Sequence, residues 1–458
     1  MNQEDRVVVL VSDDDPTGSQ TVRNIPLVFD ADEDLILDNL AASDCCFVLT
    51  NSRSLPREDA YAINARLGRL AALAHGEAAL VVVSRGDSTL RGHVRAETEA
   101  LMAGLQEEGF VGHSPRIFCP AYIEAGRVTV DDIHYCVIDG QRVPVSQTSF
   151  AKDAAFGYRN SHLPSFLQEV GATTTPPTSV SLLDVRVGGA DHVAHLIREA
   201  GSGWLVVNAE TNRDIDIVAQ AIRVVANNQN MVPIARCGPS LVRALANQDV
   251  QTALTEDELT ATFIHQKAHG YGLVVVGSHV PMSTRQLDHL IHYEQPTHIE
   301  VSIGRVLGDT SGRYQAEVIS AVAEALATSL TVLSTERRLV DDGSDGLALV
   351  RKVSDFLSAV TRAVQHRIRP AWVIGKGGIT SHDIARYGLG IRSAMVVGQL
   401  FDGQVTLIAP LRSNDDGARV PYTIFAGNVG VDSSLSDAVR RLTAAQNRAS
   451  SVAEEDVA

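Results

Sequence analysis

No C-x-x-C pair, no run of 18 apolar residues and no basic stripe occurs in this 458-residue chain. Its five cysteines, Cys45, Cys46, Cys119, Cys136 and Cys237, are odd in number and lack ligand spacing. They read as buried thiols in a reducing compartment, not as disulfides or a zinc site. The fifteen histidines are scattered in the same way. Without a long apolar run, no transmembrane helix is expected. The first residues are acidic where a signal peptide needs basic ones, and the apolar run Val7 to Val11 is too short for its core. A cytoplasmic location is therefore expected. The formal net charge is −16, which argues against nucleic acid and anionic membranes as partners. Two nucleotide signatures are also missing. The chain has no G-x-x-x-x-G-K-[ST] and no G-x-G-x-x-G, so it has no Walker A loop and offers little support for an NAD-linked oxidoreductase of a hydroxy acid.

At 45% hydrophobic and 21% charged, the chain has the composition of an ordinary globular enzyme, and its length suggests two or three domains. Short runs rich in Val, Ile and Leu recur at 6–13, 45–52, 79–87, 116–121 and 204–210. Each reads as a strand buried on both faces. Helical patterns at 56–76, closed by Gly76, and at 91–109 separate several of them. The stretch 126–145 alternates like a strand and carries a D-G turn, so it predicts a β-hairpin flap standing off the main sheet. Residues 171–180 read as a loop. A second series of strands (271–278, 297–303, 330–336, 370–378, 394–403, 404–410) and helices (281–294, 313–329, 345–367) follows a polar segment at 245–260. The fold class expected is α/β, with two doubly wound, mainly parallel-sheet domains. Their expected limits are 1–250 and 255–440, with a flexible tail at 445–458.

Three loops leave strands in the first half. The loop after 6–13 carries Asp13, Asp14 and Asp15, then Pro16, Thr17 and Gly18. Adjacent carboxylates repel, which points to a metal or hydroxyl site at the carboxyl end of a strand. The loop Ser84–His93 packs Arg85, Asp87, Ser88, Thr89 and Arg91 into seven residues. That mixture suits a carboxylated, hydroxylated substrate, since arginines pair with its carboxylate and the acid and hydroxyls hold its hydroxyl groups. Thr50, Asn51, Ser52 and Arg53 form a weaker third loop. In the second half, glycine turns occur at Gly277-Ser278, Gly377-Gly378-Ile379-Thr380 and Gly427-Asn428. Glycines there let backbone N–H groups approach phosphate oxygens.

Taken in order, these elements resemble the four-carbon acid sugar kinase family. The family's A-D-D-x-T-G is matched by Asp13 to Gly18, with Asp13 in place of its Ala and Pro16 at the variable position. Its T-x-S-R is matched by Thr50 to Arg53, and its D-S-T-L-R-G by Asp87 to Gly92. Its P-A-x-x-x-x-G-R-x-T is matched by Pro120, Ala121, Gly126, Arg127 and Thr129, and the glycine turns match its G-S, G-G-x-T and G-N. Ile379 stands where other members often have a polar residue. The resemblance implies a sugar-acid-binding N-terminal domain, a nucleotide-binding C-terminal domain, and ATP with Mg²⁺ as cofactors. The reaction expected is phosphorylation of a hydroxyl on an acid such as threonate, erythronate or a 3-oxo-tetronate. Asp15 or Asp87 would be the base, and Arg53, Arg85 or Arg91 would clamp the carboxylate. Asp14, Thr17, Gly18, Asn51, Ser52, Ser88, Thr89, Gly126 and Arg127 would complete the substrate site. Gly277, Ser278, Gly377, Gly378, Ile379, Thr380, Gly427 and Asn428 would hold the nucleotide. Metal ligands and oligomeric state stay open, a homodimer among the options. A non-catalytic ligand-binding protein is the other alternative, against which the many carboxylates in these loops argue.

Overall fold

The computed structural model describes residues 6–29, 31–75, 78–264, 270–337, 346–414 and 419–455. Gly76 and the last three residues of the expected tail lie outside them. The chain divides into two compact units, Met1–Gln251 and Thr252–Ala458.

The first unit holds β1 (Val7–Asp13), β2 (Ile25–Val28), β3 (Cys45–Leu49), β4 (Ala79–Arg85), β5 (Arg116–Cys119), β6 (Arg127–Val130), β7 (Ile133–Ile138), β8 (Gln141–Pro144), β9 (Thr178–Val180), β10 (Trp204–Val207) and β11 (Ile234–Cys237). Its main sheet runs β2-β3-β1-β4-β11-β5-β10-β9, with every pair parallel. Residues of β1, β3 and β4 are buried on both faces, which explains their apolar runs. The helices Arg57–His75 and Val94–Glu107 cross closely because Gly68 and Gly104 lack side chains. A Cβ on either would run into backbone of the other helix. Leu10, Val48, Val82, Leu101 and Ile234 belong to one core cluster here, and Phe118, Phe166 and Trp204 to a second.

β3 and β4 flank β1, so the strand order reverses direction at β1. Such a switch point opens a crevice at the carboxyl ends of the strands. The three loops singled out from sequence all emerge there.

The expected hairpin flap is a three-stranded antiparallel sheet, β6-β7-β8, separate from the main one. Besides the Asp139-Gly140 turn there is a second tight turn, in which Asp131 and Asp132 both take positive φ. Two adjacent aspartates tolerate that conformation, but the sequence reading recognised only the D-G pair. The loop expected at 171–180 ends in β9, an edge strand on β10.

The second unit holds β12 (Leu273–Val276), β13 (Thr297–Val301), β14 (Thr331–Thr335), β15 (Val373–Lys376), β16 (Ile391–Phe401), β17 (Gln404–Ser413) and β18 (Tyr422–Phe425). The order is β13-β14-β12-β15-β18-β17-β16. The first five strands are parallel, and β17 pairs antiparallel with both β18 and β16. β12 lies between β14 and β15, which makes a second switch point. The expected flexible tail is a correction: residues from 445 continue the helix Ser434–Glu455. Ala445 and Ala449 are buried in the same cluster as Trp372 and Leu442, so an apolar stripe anchors what composition alone read as a frayed end.

Candidate functional site

In the first unit the pleat and register bring the acid loop and the arginines together. Asp13 ends β1 directly beside Arg85, which ends β4, and the two form a buried ion pair. Burial nevertheless pushes the Asp13 carboxyl up to about 7, against the pull of Arg85. Gly18 turns the chain over this pair, and a Cβ there would occupy the space of Asp13 and the Arg85 guanidinium. Arg85 is only 3% exposed and also donates to the Asp15 carbonyl at 2.5 Å and the Gly86 carbonyl at 3.3 Å. It is a strut of the loop and has little left to offer a ligand.

Asp14 is 1% exposed, and neither carboxylate oxygen has a hydrogen-bond partner. Three guanidinium groups stand around it: Arg85 at 3.5 Å and Arg53 at 3.7 Å from Oδ1, and Arg236 at 3.7 Å from Oδ2. Burial raises its pKa beyond what Arg53, Arg85 and Arg236 take back. Asp15 and Asp87 behave in the opposite way. Burial would raise Asp15, but Arg53, Arg85 and two hydrogen bonds from Thr17 (N at 2.9 Å, Oγ1 at 2.5 Å) leave it lowered. Asp87 is likewise held well below the carboxylate range by Arg53, Arg91 and Thr89, with Arg91 Nε donating at 2.6 Å.

Arg53 touches Asp14, Asp15 and Asp87 at once. It is presented by a single turn after β3, where Asn51 takes a left-handed φ of 50° and Ser52 begins a 3₁₀ turn. Ser52 points inward, donating from Oγ to Glu97 at 2.7 Å. Glu97 also accepts from Ser84 Oγ at 2.9 Å and pairs with Arg236, which donates to Ser84 Oγ at 2.8 Å. Gly86 and Gly92 make room for Arg236, since a Cβ at Gly86 would overlap its guanidinium and one at Gly92 would lie 2.9 Å from Nη2.

The 87–91 loop is fixed from the small sheet. His134 donates from Nε2 to the Ser88 carbonyl at 2.8 Å and accepts from Thr129 Oγ1 at 2.9 Å. Burial pushes His134 down to about 4, so it stays neutral and keeps this tautomer. Tyr158 donates to the Thr89 carbonyl at 2.7 Å. Gly126 closes the short turn before the small sheet, and Arg127 opens β6. Among the described residues no ion pair joins Arg127 to the carboxylates, and its buried Nε has no partner.

The sequence reading missed Arg236 and Glu97. An arginine inside the apolar four-residue β11 was the available signal for the first. Glu97 sits among ordinary helix residues and gave none.

In the second unit the three glycine turns follow β12, β15 and β18, which are adjacent. They touch: a Cβ on Gly377 would lie 2.8 Å from Ser278 Cβ, and one on Gly427 would lie 2.7 Å from Ser278 Oγ. A Cβ on Gly277 would overlap Thr380 Oγ1. Gly377 has a φ of 119°, which admits glycine and little else. Gly378 opens the short helix Gly378–Asp383. Ile379 is exposed, Thr380 is buried and Asn428 is exposed. Two cations the sequence reading passed over lie beside these turns. Arg337 donates to the Ser278 carbonyl at 2.5 Å and to Thr335, and Lys376 donates to the Ala426 carbonyl at 2.6 Å.

Glycine at these positions lets the three turns pack closely against Ser278 and Thr380. A protein-held Mg²⁺ site is a different matter. Among the described residues no three His, Cys, Asp or Glu side chains gather as ligands, and arginines surround the aspartate loop.

Comparison with known proteins agrees with this division. Residues 9–245 match the family described as the sugar-binding N-terminal domain, and residues 273–435 match that described as the nucleotide-binding C-terminal domain. The chain is 26% identical over 412 residues to a D-threonate kinase of Salmonella typhimurium, covering 87% of this chain and 88% of that one. Two solved structures share the fold. One, from Salmonella typhimurium LT2, has a TM-score of 0.68 at 17% identity and covers 94% of this chain and 98% of its own. The other, Haemophilus influenzae protein HI1011, has a TM-score of 0.62 at 17% identity and covers 94% and 100%.

Proposed function

The chain belongs to the four-carbon acid sugar kinase family, and from that membership we propose that it transfers the γ-phosphate of ATP to a hydroxyl of a small sugar acid. The relative that phosphorylates D-threonate supports the class of acceptor, namely threonate, erythronate or a 3-oxo-tetronate. The observation that carries this reading is Asp14, a buried carboxylate with both oxygens free of hydrogen bonds among three guanidinium groups. A buried carboxylate without hydrogen bonds is costly unless a ligand completes it. A substrate hydroxyl does so, donating its hydrogen to Asp14.

Asp14 then takes the hydroxyl proton as phosphoryl transfer proceeds, because its raised pKa gives it the proton affinity that the depressed Asp15 and Asp87 lack. Asp15 and Asp87 hold Arg53 and Arg91 in place. Those two arginines keep partial exposure, so they are the ones to pair with the substrate carboxylate. Thr17, Ser88 and Thr89 supply hydroxyl partners. The turns at Gly277, Gly377–Thr380 and Gly427-Asn428 hold the nucleotide, whose phosphates carry any Mg²⁺ with them.

An ADP-release assay over a panel of four-carbon sugar acids tests the proposal. Turnover with at least one of them, lost in Asp14→Asn, is the expected result. No ADP release with any acid, or full turnover in Asp14→Asn, would overturn it.

A further inference from the structure

Lys376 is fully buried at the end of β15, immediately before the Gly377-Gly378 turn. Its Nζ lies 2.6 Å from the Ala426 carbonyl and 3.5 Å from the Gly427 carbonyl. It also stands 3.9 Å from the Phe425 ring centroid. An ammonium has three donors and one full charge, and two carbonyls with an aromatic face balance neither completely. We propose that Lys376 is a positioning residue for the nucleotide, a buried cation that fixes the Ala426–Gly427 turn and supplies the positive charge to which the phosphates are matched. This rests on the nucleotide site proposed above.

Among the described residues no carboxylate pairs with Lys376 Nζ. β12 faces Lys376 with Val276, and β18 faces it with Phe425. Tyr422 on β18 donates its hydroxyl to the Ser381 carbonyl at 2.8 Å. On the helix Gly378–Asp383, Asp383 is engaged by Ser354 Oγ at 2.5 Å and by His382 Nδ1 at 2.9 Å. His279, after β12, is turned toward Thr335 Oγ1 at 3.3 Å. Burial alone pushes Lys376 down to about 7. Near and above that pH the empty site therefore loses the charge, and an arriving polyanion restores it by drawing a proton onto Nζ. Binding takes up a proton, and affinity falls as pH rises above about 7, by up to about tenfold per unit.

Calorimetry of ATP binding to the full chain at pH 8, in two buffers of different ionisation enthalpy, measures this. The wild type should show a buffer-dependent heat that corresponds to proton uptake. Lys376→Arg, charged at every pH used, should bind ATP with no buffer dependence. Lys376→Met should bind about tenfold or more weakly, with its melting temperature intact. If Lys376→Met does not fold, the wild type and Lys376→Arg decide the matter alone. ATP binding by the wild type without proton uptake, or uptake that persists in Lys376→Arg, overturns the role of Lys376 and leaves the nucleotide site standing. No ATP binding by the wild type would bring down both.

Discussion

Asp14 differs from its neighbours Asp13 and Asp15 in what its oxygens meet. Asp13 has Arg85, Asp15 has Thr17 and Arg53, and Asp14 has guanidinium groups at 3.5–3.7 Å with no hydrogen bond. Replacing it with Asn keeps the volume and removes the proton affinity. Turnover should fall roughly 10²–10⁴-fold, the usual loss for a general base. The melting temperature at pH 7 should not fall, because the raised pKa means the ionised form opposes folding. Steady-state kinetics beside a thermal melt checks both, and a large drop in melting temperature would mark Asp14 as structural. Asp87 carries the opposite sign. Its folded pKa is depressed below the ordinary 3.8, so it stabilises the fold above that value, and the contribution is lost as the pH falls through and below it. Asp87→Asn should therefore lower the melting temperature at pH 7, and by a smaller margin at pH 3. A difference of equal size at both pH values would contradict the assignment.

Among the elements, the loops that leave β1 and β4 are shaped by where side chains are missing. Gly18→Ala would push a methyl into the Asp13–Arg85 pair, and overpacking of this kind costs about 1–3 kcal/mol. Chemical denaturation should show that loss together with a raised KM for the sugar acid. An unchanged midpoint would mean that the loop has room to move. At this scale much was legible in the sequence. The apolar runs of β1, β3 and β4 and the order of the loops after them were read from it, because doubly buried strands carry a continuous apolar signal. β2, β11 and β18 were not recognised. Each is four residues long, and β11 reads Ile-Ala-Arg-Cys, so the arginine that matters to the site also hid the strand. Arg236 and Glu97 escaped for a related reason, since what joins them to Asp14 is sheet register and not spacing along the chain. The C-terminal helix was misread because its buried alanines carry little hydrophobic signal. Ending the chain at 444 removes Ala445 and Ala449 from the core, and at about 0.8 kcal/mol per buried methyl the loss should be about 1.5 kcal/mol or more. A truncated chain with the full melting temperature would show that the helix end is dispensable.

Across the whole molecule, each unit has its own apolar clusters: Leu10, Val48 and Leu101 in the first, and Val274, Trp372 and Leu442 in the second. Each should fold when expressed alone. Calorimetry on residues 1–251 should show sugar-acid binding, and on residues 252–458 ATP binding. ATP bound by the first half would reverse the proposed division.

The five cysteines all lie in the first unit, and all are buried free thiols. Burial pushes Cys46 and Cys119 up to about 12, and Cys45 and Cys237 well above their ordinary value. Thiolate is the reactive form, so in the native state these positions are silent toward alkylating reagents. The second unit contributes no sulfhydryl at all. A thiol-reactive dye is thereby a clock for one half of the molecule: its labelling rate records how often the sugar-acid half opens, and the other half contributes no background.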